Sequence, residues 1–268
     1  MSVARKADAA TIAGLFIAAA GLLLGLHFEG IQLYDVGQLT AGLIVVCGTV
    51  GAVLISMPMH QTREALKMIP AMLHSTIKRD EDVIASVIGY SRVARQRGLV
   101  ALEQEAAEAD DPFLRRAILL ASDGVGVEAM KHVLEAEISG LKAQAESAAL
   151  FYETAAGYAP TLGVAGAAIG LVQVMKHLDH LEQVGMGVAS AFVATIYGVL
   201  LANLVLLPIA TKIRARADAR MRACALIRDG MLSIAMGLNP SVIRMKLEAL
   251  AQIPESAPAR PARVRTAA

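Results

Sequence analysis

The chain has 268 residues, 56% of them hydrophobic and 18% charged, with no Trp and a mean hydropathy of +0.54. That balance is too apolar for an ordinary soluble domain and fits a polytopic membrane protein. A net charge of +1 gives no electrostatic case for a nucleic-acid partner. The two cysteines, Cys47 and Cys224, form no metal-ligand spacing and read as inert thiols.

In chain order, Arg5 and Lys6 precede an apolar run, Ala9–Leu26. No small-x-small cleavage site follows; the next residues are His27, Phe28 and Glu29, so the run reads as an uncleaved span rather than a signal peptide. A polar tip, His27–Val36, leads to a second run, Gly37–Met57, that stops at Pro58. Residues 1–58 are thus expected to form a transmembrane hairpin.

Residues 59–151 change character. Charges recur every few positions, and Val83, Ile84, Val87 and Ile88 fall at helical spacing, with Asp80 as the expected N-cap and Gly98 as the stop. Asp111-Pro112 restarts a helix, with Pro at the first helical position, where its missing N–H costs nothing. Asp123-Gly124-Val125-Gly126 reads as a turn. Beyond it Met130, Val133, Leu134, Ile138 and Leu141 predict one long helix running directly into the third span. This is a helical, cytoplasmic insert.

Residues 152–210 carry the strongest signal. Two apolar spans, Pro160–Met175 and Met186–Pro208, flank a short polar tip, Lys176–Val184, and contain no Asp, Glu, Lys, Arg or His. After Pro208 a basic run, Lys212 to Arg222, opens an amphipathic helix to about Met236, and Asn239-Pro240 starts another, giving C-terminal cytoplasmic helices over 211–253. The Pro-, Ala- and Arg-rich end, 254–268, is expected to be disordered. The fold class is therefore all-α, with four transmembrane helices and a helical cytoplasmic insert. The tips hold Glu29, Asp35, Asp179 and Glu182 but one Lys between them, while the opposite side holds Arg5, Lys6, Arg63, Lys67, Lys142 and the Lys212–Arg222 run. Both termini and the insert are expected in the cytoplasm.

No span core carries an ionisable carboxylate, His or Lys, so a self-sufficient pump or antiporter is disfavoured. Gly163, Gly166 and Gly170 instead make a smooth face suited to close helix packing. Their loose G-x-x-G-x-x-x-G is no dinucleotide loop, because no strand precedes it. Thr195, Tyr197 and Asn203 are the polar groups of span four. The bland reading of Thr195 is a hydroxyl bonded to its own i−4 carbonyl. Pro160 and Pro208 flank the hairpin either as simple punctuation of helix ends or as hinges. Arg95 and Glu103, around Gly98, are either a solvated helix end or a partner surface offering both signs of charge. No nucleophile–base pair or metal spacing appears, so enzyme chemistry, a cofactor and a metal site have no support.

Several segments resemble one family. Ala159–Met175 (APTLGVAGAAIGLVQVM) is similar to the third span of MotA-type flagellar stator proteins, and Val188–Asn203 (VASAFVATIYGVLLAN) with Pro208 to their fourth. Arg-x-x-Gly-Leu-x-x-Leu-Glu at Arg95–Glu103, Asp111-Pro112-Phe113, Asp123-Gly124 and Gly237-Leu-Asn-Pro240 also resemble the family, in the same order. The resemblance implies an inner-membrane stator subunit. Five copies would surround two copies of MotB, whose single span carries the ion-binding Asp, and ion flow would be converted into torque on the rotor protein FliG. By position, it implies rotor contact at Arg95 and Glu103, coupling of conformational change to ion flow at Pro160 and Pro208, and an ion-path hydroxyl at Thr195. Sodium-driven relatives carry a Thr where Ala167 stands here. A sodium ion must exchange its hydration shell for several oxygens and Ala supplies none, so protons are favoured. The runner-up is a TolQ- or ExbB-like energiser of envelope partners. Those proteins have three spans and an outside N-terminus, and the first hairpin here counts against them.

Overall fold

The computed structural model describes residues 6–7, 9–31, 36–75, 79–176 and 181–251. The expected disorder of 254–268, Arg5 and the middle of both polar tips lie outside the described residues. The described chain is helical apart from a two-residue antiparallel ladder, Lys6–Ala7 with His74–Ser75, that the sequence did not signal. Three helices are long and apolar enough to cross a membrane (Leu39–Ser56, Val127–Lys176 and Val184–Ala235), and Ala13–Phe28 is a shorter apolar helix. The chain folds into two compact units, one of residues 1–76 and 142–217, the other of 77–141 and 218–268.

The first unit contains α1 (Ala9–Phe28), α2 (Leu39–Ser56) and α3 (Met59–Leu73). To these it adds most of α7 (Val127–Lys176), then α8 (Leu181–Leu200), a π-helical turn (Leu201–Leu206) and the start of α9 (Leu207–Ala235). At about 1.5 Å per residue, the 18 residues of α2 span close to the ~30 Å thickness of a hydrocarbon core. Its buried face is Ala41, Val45, Thr49 and Val53, one residue per turn. Below the spans, α3, α7 and α9 meet over small residues, Ala65, Ala145, Ala148, Ala149 and Ala210, with Tyr152 and Ile213. The Tyr152 hydroxyl donates to the Ala65 carbonyl at 3.0 Å.

In the second unit, α4 (Asp80–Arg97), a 3₁₀ turn (Leu99–Ala101), α5 (Leu102–Glu108) and α6 (Pro112–Ser122) pack with the first turns of α7, the end of α9 and α10 (Pro240–Ala251). The centre is Leu102, Phe113, Ile118, Met130, Leu134, Met231, Ile243 and Leu247, all fully buried. The expected stripe Val83, Ile84, Val87 and Ile88 faces this core. Gly98 stops α4 as expected, with φ 82°, a conformation that a side chain would strain. Asp111 caps α6 by accepting the Phe113 N–H at 2.9 Å, with Pro112 at the first helical position.

Several boundaries differ from expectation. Asp80 is the first residue of α4 and Arg79 occupies the cap position; Asp80, Glu81 and Asp82 place negative charge in the first turn, where it meets the positive end of the helix dipole. The second hairpin is longer than its apolar runs, because α7 continues to Lys176 and α8 begins at Leu181. Neither proline ends a helix. Pro160 lies inside α7, and Pro208 is the second residue of α9, which follows the π turn without a break.

Candidate functional site

The centre of the first unit is the crossing of α7 and α8. A Cβ added to Gly163 would stand 2.9 Å from the Ala194 carbonyl oxygen and 3.2 Å from the Thr195 Cα. A Cβ on Gly198 would overlap the Ala159 carbonyl oxygen and stand 3.0 Å from the Pro160 Cα. Each helix therefore offers an Ala and, four residues on, a Gly, and each Gly lies on the other helix's Ala carbonyl. Only the missing side chains permit this approach, and the close backbones gain dispersion and Cα–H···O contacts that lipid cannot supply. The seam continues: a Cβ on Gly166 would stand 2.9 Å from the Ala194 Cβ, and one on Gly170 would stand 3.1 Å from the Ala191 Cα.

Pro160 and Thr195 are thus brought to one crossing. Pro160 has no N–H, so the carbonyl of buried Ala156 loses its usual partner in the helix ladder. Next to it, Tyr158 and Ser56 of α2 share a hydroxyl–hydroxyl bond of 2.8 Å. Ala167 is half-buried on the same helix. The Thr195 hydroxyl does reach its own i−4 carbonyl, Ala191, but at 3.4 Å, the weak end of the range, so its oxygen keeps acceptor capacity.

The other polar groups of span four are committed. The Tyr197 hydroxyl donates to the Val36 carbonyl at 2.6 Å and accepts the Gln38 N–H at 3.3 Å. It therefore ties the loop before α2 to span four through backbone groups on either side of the Gly37 position. The Asn203 amide donates to Val199 at 2.9 Å. Around Asn203 the helix widens: the Leu207 N–H reaches the Ala202 carbonyl, five residues back. The widening accommodates Pro208, which cannot donate and whose ring would press on the carbonyl four residues earlier in a regular ladder.

In the second unit, Arg95 in the last turn of α4 and Glu103 at the start of α5 are both exposed, on either side of the Gly98 bend. The flanking charges are of both signs, with Arg92 and Arg97 exposed on α4, and Glu108 exposed and Glu105 half-buried on α5. Burial first, and then Glu105, Asp110 and Glu108, push the Tyr90 hydroxyl above its ordinary pKa. Beneath this surface Arg220 grips Asp111 with two bonds, of 2.6 and 2.7 Å.

Sequence reasoning found the Gly163–Gly166–Gly170 face but missed its counterpart on span four. The signal was present in Gly187, Ala191, Ala194 and Gly198, small residues spaced 4, 3 and 4 apart. It missed the π turn, which no local pattern announces.

Residues 105–225 match the MotA/TolQ/ExbB proton channel family. The chain is 30% identical over 245 residues to Motility protein A of Bacillus subtilis (strain 168), covering 90% of this chain and 89% of that protein. The structure superposes on that of C. jejuni MotAB with a TM-score of 0.87 at 26% identity, over 94% of this chain and 98% of the other. It superposes on the flagellar MotAB stator complex of Bacillus subtilis with a TM-score of 0.84 at 28% identity, over 90% and 94%. Spans free of ionisable groups, a glycine-sealed hairpin and end-to-end similarity all agree: the chain belongs to the MotA/TolQ/ExbB proton channel family.

Proposed function

We propose that this chain is the stator subunit of a bacterial flagellar motor. With a MotB-type partner it forms a proton path in the inner membrane, and proton flow is turned into torque on the rotor protein FliG. The observation that carries this reading is the near-complete superposition on MotAB stator structures, first hairpin included. The chemistry supports it: no span core holds a carboxylate, so a proton acceptor must come from a partner, and an Asp on the single span of MotB would provide it.

In this reading four helices cross the membrane, α1 being the fourth, with both termini in the cytoplasm. Five copies surround a MotB dimer. Thr195 presents its weakly engaged hydroxyl to the ion path, and Ala167 adds no oxygen that could replace a sodium hydration shell. Pro160 and Pro208 are points of flexure where the helix ladder is already incomplete. Arg95 and Glu103 meet opposite charges on the rotor.

The test is swimming of cells that lack their own stator and carry this chain with its partner. Speed is expected to ignore external sodium at constant ionic strength and to collapse with a protonophore. Sodium-dependent speed would overturn the ion assignment. Reversing both charges (Arg95→Glu with Glu103→Arg) is expected to stop swimming while the partner still co-purifies; undiminished swimming would remove both residues from the rotor contact.

A further inference from the structure

Below the spans, the cluster that joins α7 and α9 mixes small residues, Ala145, Ala148 and Ala149 on α7 and Ala210 on α9, with the larger Tyr152 and Ile213. The alanines allow close approach but add few ridges of their own, so apolar interlocking rests on the two larger side chains. Directional groups fix register more sharply than apolar packing does, and one constellation provides them. Arg214 of α9 projects between Glu146 and Glu153 of α7. Its Nε donates to both Glu146 oxygens at 3.2 and 3.1 Å, and its Nη2 to Glu146 Oε1 at 2.7 Å. The same Nη2 donates to Glu153 Oε2 at 2.9 Å, and Nη1 to Glu153 Oε1.

The two carboxylates are seven residues apart, two turns along one face of α7. The guanidinium spans the gap because its donors fan out in a plane; an ammonium is a point charge and cannot match two forks at once. Sliding α9 by one turn, about 5.4 Å, would break one pair. Arg214 is about one-third exposed, and ion pairs open to solvent add little to stability. Their value here is geometric.

We propose that Arg214, seated between Glu146 and Glu153, is a positioning residue that locks α9 to α7 in axial register. A displacement of span four at the ion path is then delivered through both helices together. This rests on the stator reading above. Arg214 lies six residues beyond Pro208, so the lock acts immediately past the point where span four can flex.

The test compares wild type, Arg214→Ala, Arg214→Lys and the paired Glu146→Gln/Glu153→Gln in cells carrying the chain with its partner. Three quantities are read: complex recovered from membranes, proton influx per complex reported by a cytoplasmic pH-sensitive fluorescent protein, and stall torque on a tethered bead. Recovery and influx are expected to stay near wild type in Arg214→Ala and in the paired variant, with stall torque falling roughly fivefold. Arg214→Lys is expected to fall between them. Unchanged torque in both Arg214→Ala and the paired variant overturns the proposal. So does a parallel fall of recovery, influx and torque in both, which is the signature of a structural role. A wild-type chain that neither conducts nor turns the motor sinks the stator reading, and the lock with it. That outcome differs from failure of the lock alone, where wild type works and the variants work equally well.

Discussion

At the scale of single residues, Asp111 does two jobs. It caps α6 and holds Arg220 from 109 positions away. Burial would raise its carboxyl, but the Arg220 hydrogen bonds, the guanidinium charge and backbone N–H groups outweigh burial and hold the pKa below the ordinary carboxylate value. A lowered folded-state pKa stabilises the fold above the unfolded-state value, and that stabilisation is lost as pH falls through the folded-state value. Asp111→Asn is expected to lower stability by about 2 kcal/mol at neutral pH, read from thermal melts of the complex in detergent. The gap to wild type should close in acid, and equal melting at pH 7 would show that the pair contributes nothing. The cap was legible in the sequence, because Asp-Pro before an apolar run has a local mechanism. The Arg220 partner was not, because nothing local pairs two residues so far apart. Cys224 is similar: its place in a basic stretch gave no hint of complete burial, which pushes the thiol up to about 11.

At the scale of elements, the α7–α8 crossing makes an unequal demand on its glycines. Gly198 presses on backbone, the Ala159 carbonyl and the Pro160 Cα, which cannot swing aside as a side chain does. Gly51 of α2 has nothing within 4 Å of where a Cβ would stand. Gly198→Ala is therefore expected to cost about 2 kcal/mol through forced separation of the helices, while Gly51→Ala is neutral or slightly stabilising. Melting curves of the two variants side by side decide it; equal midpoints would show that the crossing is looser than described. The glycines of span three were legible because they crowd into eight residues. Those of span four are diluted by Phe192, Ile196 and Tyr197 on other faces, and only the 4-3-4 spacing betrays them. Of the two readings of Pro208, the helix-end one does not hold, because Pro208 is the second residue of α9. Here a widened turn absorbs it.

At the scale of the whole molecule, three of the expected spans, their order and the helical insert were legible because burial in lipid demands long apolar runs. The packing units were not, because composition changes at the membrane surface while packing does not. Residues 59–73 read as part of the insert, yet α3 packs on α7 and α9 of the membrane unit. The proposed orientation is checked by labelling: Glu29→Cys is expected to react with a membrane-impermeant maleimide in intact cells, and Glu103→Cys only after permeabilisation. The reverse pattern would invert the topology. The π turn bears on the chain as a whole in a further way, through angular phase. Thr195 and Arg214 are nineteen residues apart, and at roughly 100° per residue an unbroken α-helix would turn them about 100° out of alignment. A π turn takes up one extra residue, leaving about five whole turns, so the side of span four that carries the hydroxyl at the crossing is also the side that carries the guanidinium beneath the membrane. An insertion of a single residue thus works as a phase corrector, keeping one edge of a long rod against the same neighbour from the apolar span to the charged stretch that follows it.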